Sequence, residues 1–135
     1  MSLAYISCIK ITNNGVKNIG TNIGRHIKNL NHLSLDLYRC WDITDEGVKL
    51  LGSGIAKNLR CLQDLMLNFD RCRKITDEGV KILVSRIGRN IKDLKVLSLD
   101  FDGRRDITND TIKHLTQKVG SNLKKLHDLS INFGE

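Results

Sequence analysis

The sequence predicts an α/β fold: a parallel sheet of about five strands on the concave side of a short arc, with about four helices on its convex side. Three observations predict it. The chain repeats itself every 32 residues. Each repeat joins a stretch of hydrophobic period 2 to a stretch of period 3.6. The chain also has no proline and only one tryptophan, two tyrosines and three phenylalanines, so its core is aliphatic and assembled from equivalent positions.

The repeat is explicit in blocks beginning at Ile11, Ile43, Ile75 and Ile107. They open Ile-Thr-Asn-Asn-Gly-Val, Ile-Thr-Asp-Glu-Gly-Val, Ile-Thr-Asp-Glu-Gly-Val and Ile-Thr-Asn-Asp-Thr-Ile. Continuing the step of 32 outward matches Leu3 with Leu35, Cys8 with Cys40 and Phe133 with Phe101. Repetition therefore covers residues 1–135 as a single domain, with units starting near 1, 33, 65 and 97 and a closing strand from 129.

Within a unit the strand comes first. Leu33, Leu35 and Leu37 alternate with Ser34, Asp36 and Tyr38, as expected of a strand with one buried face. Leu65, Leu67 and Phe69 repeat the pattern, as do Leu97, Leu99 and Phe101, then Leu129, Ile131 and Phe133, and Met1, Leu3 and Tyr5 begin the series. The helix follows, its stripe being Val48, Leu51 and Ile55, with Leu59 and Leu62 in the turn back to the next strand. Thr44-Asp45-Glu46 offers a capping oxygen and first-turn acids. Asn58, Asn90 and Asn122 fall at the helix C-terminus, where asparagine tolerates left-handed geometry. Small residues at Gly24, Ala56, Gly88 and Gly120 are expected to let neighbouring helices approach. No unit can bury both its apolar faces alone, so stability requires stacking.

The spacing Leu-x-x-Leu-x-Leu at Leu30, Leu33 and Leu35, followed by Cys40 and Ile43-Thr44-Asp45-x-Gly47-Val48, resembles the leucine-rich-repeat family. It is most similar to the cysteine-containing and ribonuclease-inhibitor-like subclasses. The resemblance covers the whole chain and implies a horseshoe solenoid that binds a partner; members bind proteins, lipids, sugars or nucleic acid. It also implies that Cys8, Cys40 and Cys72 occupy a buried position supporting the loop backbone. Leu37 lengthens the strand by two residues relative to the shorter consensus, as in units of large protist repeat families.

Nothing in the sequence supplies recognisable catalytic chemistry. The four histidines lie in different repeat columns, and the cysteines lack the clustered spacing of a zinc site. The reading is a non-enzymatic protein without cofactor or metal. The N-terminus lacks the basic and apolar regions of a secretory signal, and no apolar run suits a membrane span, so we expect an intracellular, cytoplasmic protein with reduced cysteines.

The formal charge of +7 is informative only when assigned to faces. The columns expected on the concave side include His32, Asp36, Tyr38, Asp64, Met66, Asp70, Asp100, Asp102 and Asp128, with six acids and no lysine or arginine. The 22 basic residues lie elsewhere, and a rim of them gathers in the ascending loops at Arg39, Arg71, Arg73, Lys74, Arg104 and Arg105. An acidic face suits a basic protein segment. A basic rim suits the alternative, a nucleic acid. The first and last units resemble interior ones, so the chain is expected to be a fragment of a longer repeat protein, to dock its apolar ends in a larger assembly, or to stack end to end, with assembly or stacking favoured if Met1 is the natural start.

Overall fold

The computed structural model describes the backbone of residues 3–7 and, in full, residues 10–103 and 107–134. Strand and helix alternate along the chain. The strands are β1 (Leu3–Ser7), β2 (His32–Asp36), β3 (Asp64–Asn68), β4 (Val96–Asp100) and β5 (Asp128–Asn132). The helices are α1 (Asn13–His26), α2 (Asp45–Asn58), α3 (Asp77–Asn90) and α4 (Asn109–Asn122). All strands run parallel in chain order, β1-β2-β3-β4-β5. Each helix packs on the next, so the molecule has a sheet layer and a helix layer.

The core lies between those layers. Leu33, Leu35, Leu65, Leu67, Leu97 and Leu99 are buried, and so are the helical positions Val48, Leu51 and Ile55 with Val80, Leu83 and Ile87. In the outer units Val16, Leu115 and Val119 are buried, Ile19 and Ile23 only partly, and Ile112 is exposed. Leu59 and Leu62 fall beyond the end of α2 and are fully buried in the return turn, as their place in the stripe predicts. Just past the strands, the rings of Phe69, Phe101 and Phe133 stack at centroid separations of 5.3 and 6.1 Å. Leu37 is buried in the same column, but it lies outside β2, which ends at Asp36. Its amide nonetheless continues the ladder by donating to Asn68 O at 2.8 Å. The strand is therefore not lengthened; only its inter-unit hydrogen bonding is.

Other expectations change too. β1 pairs Ala4 with Leu33 and Ile6 with Leu35, whereas the repeat aligns Leu3 with Leu35. The first strand sits three residues out of step. As an edge strand it is paired on one side only, so a single neighbour sets its register. Asn58, Asn90 and Asn122 do not take left-handed geometry. They are the last helical residues, and their Nδ2 groups donate to Gly54 O, Arg86 O and Lys118 O at 2.8–2.9 Å, tying off carbonyls of the final turn. Close helix approach holds at Gly24, where a Cβ would lie 1.9 Å from Asn58 Cβ, but not at Gly120, which has open space.

The helix starts reveal a second ladder. Thr12, Thr44, Thr76 and Thr108 are the N-caps, yet the Thr44 side chain caps nothing in its own helix. Thr44, Thr76 and Thr108 are each gripped by the first residue of the preceding helix. Asn13 Oδ1 accepts from Thr44 N and its Nδ2 donates to Thr44 Oγ1, at 3.0 and 2.9 Å. Asp45 accepts from Thr76 N and Thr76 Oγ1, both at 2.6 Å. Asp77 does the same for Thr108 at 3.4 and 2.8 Å. Glycine permits the grip: a Cβ on Gly79 would lie 2.2 Å from Asp45 Oδ1. The fourth unit has buried Thr111 in that column, and there the backbone contact is the long one.

Asp45→Ala is expected to lower the unfolding free energy by about 1–2 kcal/mol, the worth of a charge-assisted cap. Gly79→Ala raises helix propensity by roughly 1 kcal/mol, but here the clash with Asp45 should cancel that gain. The two changes should be less than additive. Urea unfolding of the three variants checks this, and a Gly79→Ala protein stabilised by the full propensity increment would show that the ladder does not matter.

Candidate functional site

Two surfaces meet along the line where the strands turn into the loops. On the solvent side of the sheet the strands alternate buried and part-exposed residues, so His32, Ser34, Asp36, Asp64, Met66 and Asp100 reach that side. Asp128 is exposed on β5. Tyr38, Asp70 and Asp102 follow in the turns and are part-exposed. The sequence-predicted acidic residues thus come together on one side.

Their roles differ, however. The column Asp36, Asn68, Asp100, Asn132 closes the strands structurally. Asp36 Oδ1, Asn68 Oδ1, Asp100 Oδ1 and Asn132 Oδ1 accept from the amides of Tyr38, Asp70, Asp102 and Gly134 at 2.8–3.1 Å. Asn68 Nδ2 donates across to Asp36 and Asn132 Nδ2 to Asp100, at 3.0 and 3.2 Å. These are Asx turns repeated in register. His32 and Asp64 pair directly across β2 and β3. Asp70 is less well served. Its Oδ1 is buried without a hydrogen bond, and Arg71 Nε stands 3.9 Å away. Desolvation, then repulsion from Asp102 and Asp100, hold its carboxyl above the usual aspartate value despite Arg71 and Arg39. Between these acids Met66 is 47% exposed, over a shallow pocket of about 230 Å³ lined also by Ser34, Asp36, Ser98 and Asp100.

The loop edge carries the opposite charge. Arg39 and Arg71 have φ of 57° and 59°, a region most side chains avoid, while the third member of their column is Gly103 at φ 75°. Each loop is held by the next, Arg39 N donating to Asp70 O and Arg71 N to Asp102 O at 2.9 and 3.0 Å. Both guanidiniums lie over the Tyr38 ring, 4.9 and 5.9 Å from its centroid. With Arg73 and Lys74 they surround Trp41 in a pocket of about 570 Å³. Trp41 is 62% exposed. Sequence reasoning overlooked it, although the signal was present: the lone tryptophan sits in the Arg73 column, amid the arginines. Arg104 and Arg105 lie outside the described residues.

Cys40 and Cys72 are buried, and Cys72 Sγ donates to Leu37 O at 3.0 Å, binding one loop to the strand end of the unit before; Cys61 is exposed. Cys8 lies outside the described residues. No group of three or more His, Cys, Asp or Glu side chains among the described residues is placed to hold a metal ion. No described helix is long and apolar enough to cross a membrane. Comparison with protein-family models gives no match, and comparison with curated proteins gives none.

A group whose folded pKa is raised opposes stability in its charged form. Asp70→Asn should therefore raise the melting temperature at neutral pH. The gain should shrink as pH falls through the raised pKa and vanish below the model-peptide value of 3.8, where both states are protonated. Calorimetry across that range checks it; a loss of stability at neutral pH would mean that Arg71 and Arg39 outweigh the acids.

Proposed function

We propose that this chain is a non-enzymatic leucine-rich-repeat scaffold, a subunit or fragment of a larger assembly, that docks a basic protein segment on the acidic solvent face of its sheet. The carrying observation is Met66, exposed at the centre of that face with Asp36 and Asp100 lining the same pocket. An adaptable apolar centre inside a charged border is the anatomy of a protein interface. The clustered carboxylates of Asp70, Asp100 and Asp102, whose mutual repulsion raises the Asp70 pKa, favour a cationic partner and repel phosphates. A place in something larger, whether as subunit or as fragment, is supported by the β5–α4 side, where Ile112 and Leu129 are 42% and 39% exposed over an apolar pocket completed by Leu115, Thr116, Ile131 and Phe133. In every inner unit the equivalent residues are covered by the next unit.

Calorimetric titration with short peptides of alternating lysine and leucine, against acidic counterparts, tests the docking. The basic peptides should bind and the acidic ones should not. Met66→Lys should weaken binding roughly tenfold or more, while Met66→Leu should preserve it. Both changes are at an exposed position outside the hydrogen-bond ladders, so folding is not in play. Equal binding of basic and acidic peptides, or an unaltered Met66→Lys protein, would sink the reading.

A further inference from the structure

The loop-edge pocket around Trp41 has no part in the sheet-face docking just described, and the contacts of Arg39 and Arg71 with Tyr38 and of Lys74 with Asp42 account for neither its exposed indole nor Arg73. An exposed indole contributes little to a core, and the loop is already held by the backbone bonds from Arg39 and Arg71 and by the Cys72 thiol. Around that indole stand four cations from two successive loops: Arg39, Arg71, Arg73 and Lys74. Lys74 shares its charge with Asp42 at 3.2 Å, and Arg71 with Asp70 at 3.9 Å. Arg39 and Arg71 have left-handed backbones where the same column accepts Gly103, so arginine stands at two positions against local backbone preference.

We propose that this pocket binds a short stretch of single-stranded nucleic acid. One base stacks on the Trp41 indole, and the flanking phosphates meet Arg39, Arg71, Arg73 and Lys74. An aromatic face set among cations is the arrangement by which single strands are held without sequence preference. An acidic peptide would use the charges but leave the indole without a π-face. A duplex hides its base faces and spreads its charge over a broad surface. Here the basic area is narrow, because Asp70 and Asp102 begin directly beside Arg71. The strand therefore runs along the loop edge, away from the sheet face.

Trp41 is the only tryptophan in the chain, so its own fluorescence reads the site. Titration with a short oligouridine should quench it saturably, and log K should fall with log salt with a slope of about −2 to −3, as for three or four phosphate contacts on a single strand. Trp41→Leu, followed by anisotropy of a labelled oligouridine, should weaken binding roughly five- to hundredfold. Arg39→Gly with Arg71→Gly should abolish the tight phase while leaving thermal stability unchanged or raised, since glycine suits that backbone. Inorganic polyphosphate or a duplex of equal charge binding as tightly as the oligouridine would overturn the proposal, as would an acidic phosphopeptide binding in its place. So would a Trp41→Leu protein of unaltered affinity. Failure here with intact peptide docking on the sheet face would leave the scaffold reading standing, and the reverse holds as well.

Discussion

Each unit of this chain has two apolar faces and only one unit's worth of chain to cover them. Leu65 and Leu67 of β3 pair in register with Leu33 and Leu35 on one side and with Leu97 and Leu99 on the other. All six are almost wholly buried. Burying each leucine is worth about 1.5–3 kcal/mol, but only when neighbouring units are in place. The conformational entropy of ordering a lone strand and helix would exceed what that unit could gain by itself. Mutual coverage is thus the constraint from which the rest follows. It demands units of equal length.

Equal spacing alone would not align the loops. Two polar ladders do that. One runs along the strand ends through Asp36, Asn68, Asp100 and Asn132, and the other along the helix starts through Asn13, Asp45 and Asp77. They fix each ascending loop at both of its ends. Side chains 32 residues apart are therefore neighbours in space, and a surface is written as columns. The acids of the sheet face and the arginines of the loop edge are two such columns a few positions apart. The two columns touch where Asp70 stands 3.9 Å from Arg71 Nε, just past the strand-end ladder.

The columns were legible in the sequence because periodic burial leaves a periodic signature. Leu33, Val48, Leu59 and their equivalents in the inner units are buried where the repeat put them, while Ile27, Ile112 and Leu129 in the outer units are exposed. What escaped reading was non-periodic or depended on geometry between units. Asp36 and Asp100 read as free surface acids, yet they accept backbone amides that only the folded turn presents. The left-handed backbone fell to Arg39 and Arg71, not to the asparagines, because the loops bond to one another there. The slip of β1 arises at an edge, where the repeat has one neighbour and loses half its authority. Trp41 occurs once, and a search for repetition passes over what does not repeat.

Native-state hydrogen exchange tests the stacking constraint most directly. If mutual coverage holds the molecule together, the amides of β3, covered on both sides, should exchange only through global unfolding. Those of β5, whose outer face is open, should exchange through smaller openings, with β2 and β4 close to the global limit. Protection should therefore fall from the centre of the stack toward its open end. Equal protection in β3 and β5, or local exchange of β3 at low denaturant, would show that the units are stable singly and that the stack is not what sustains them.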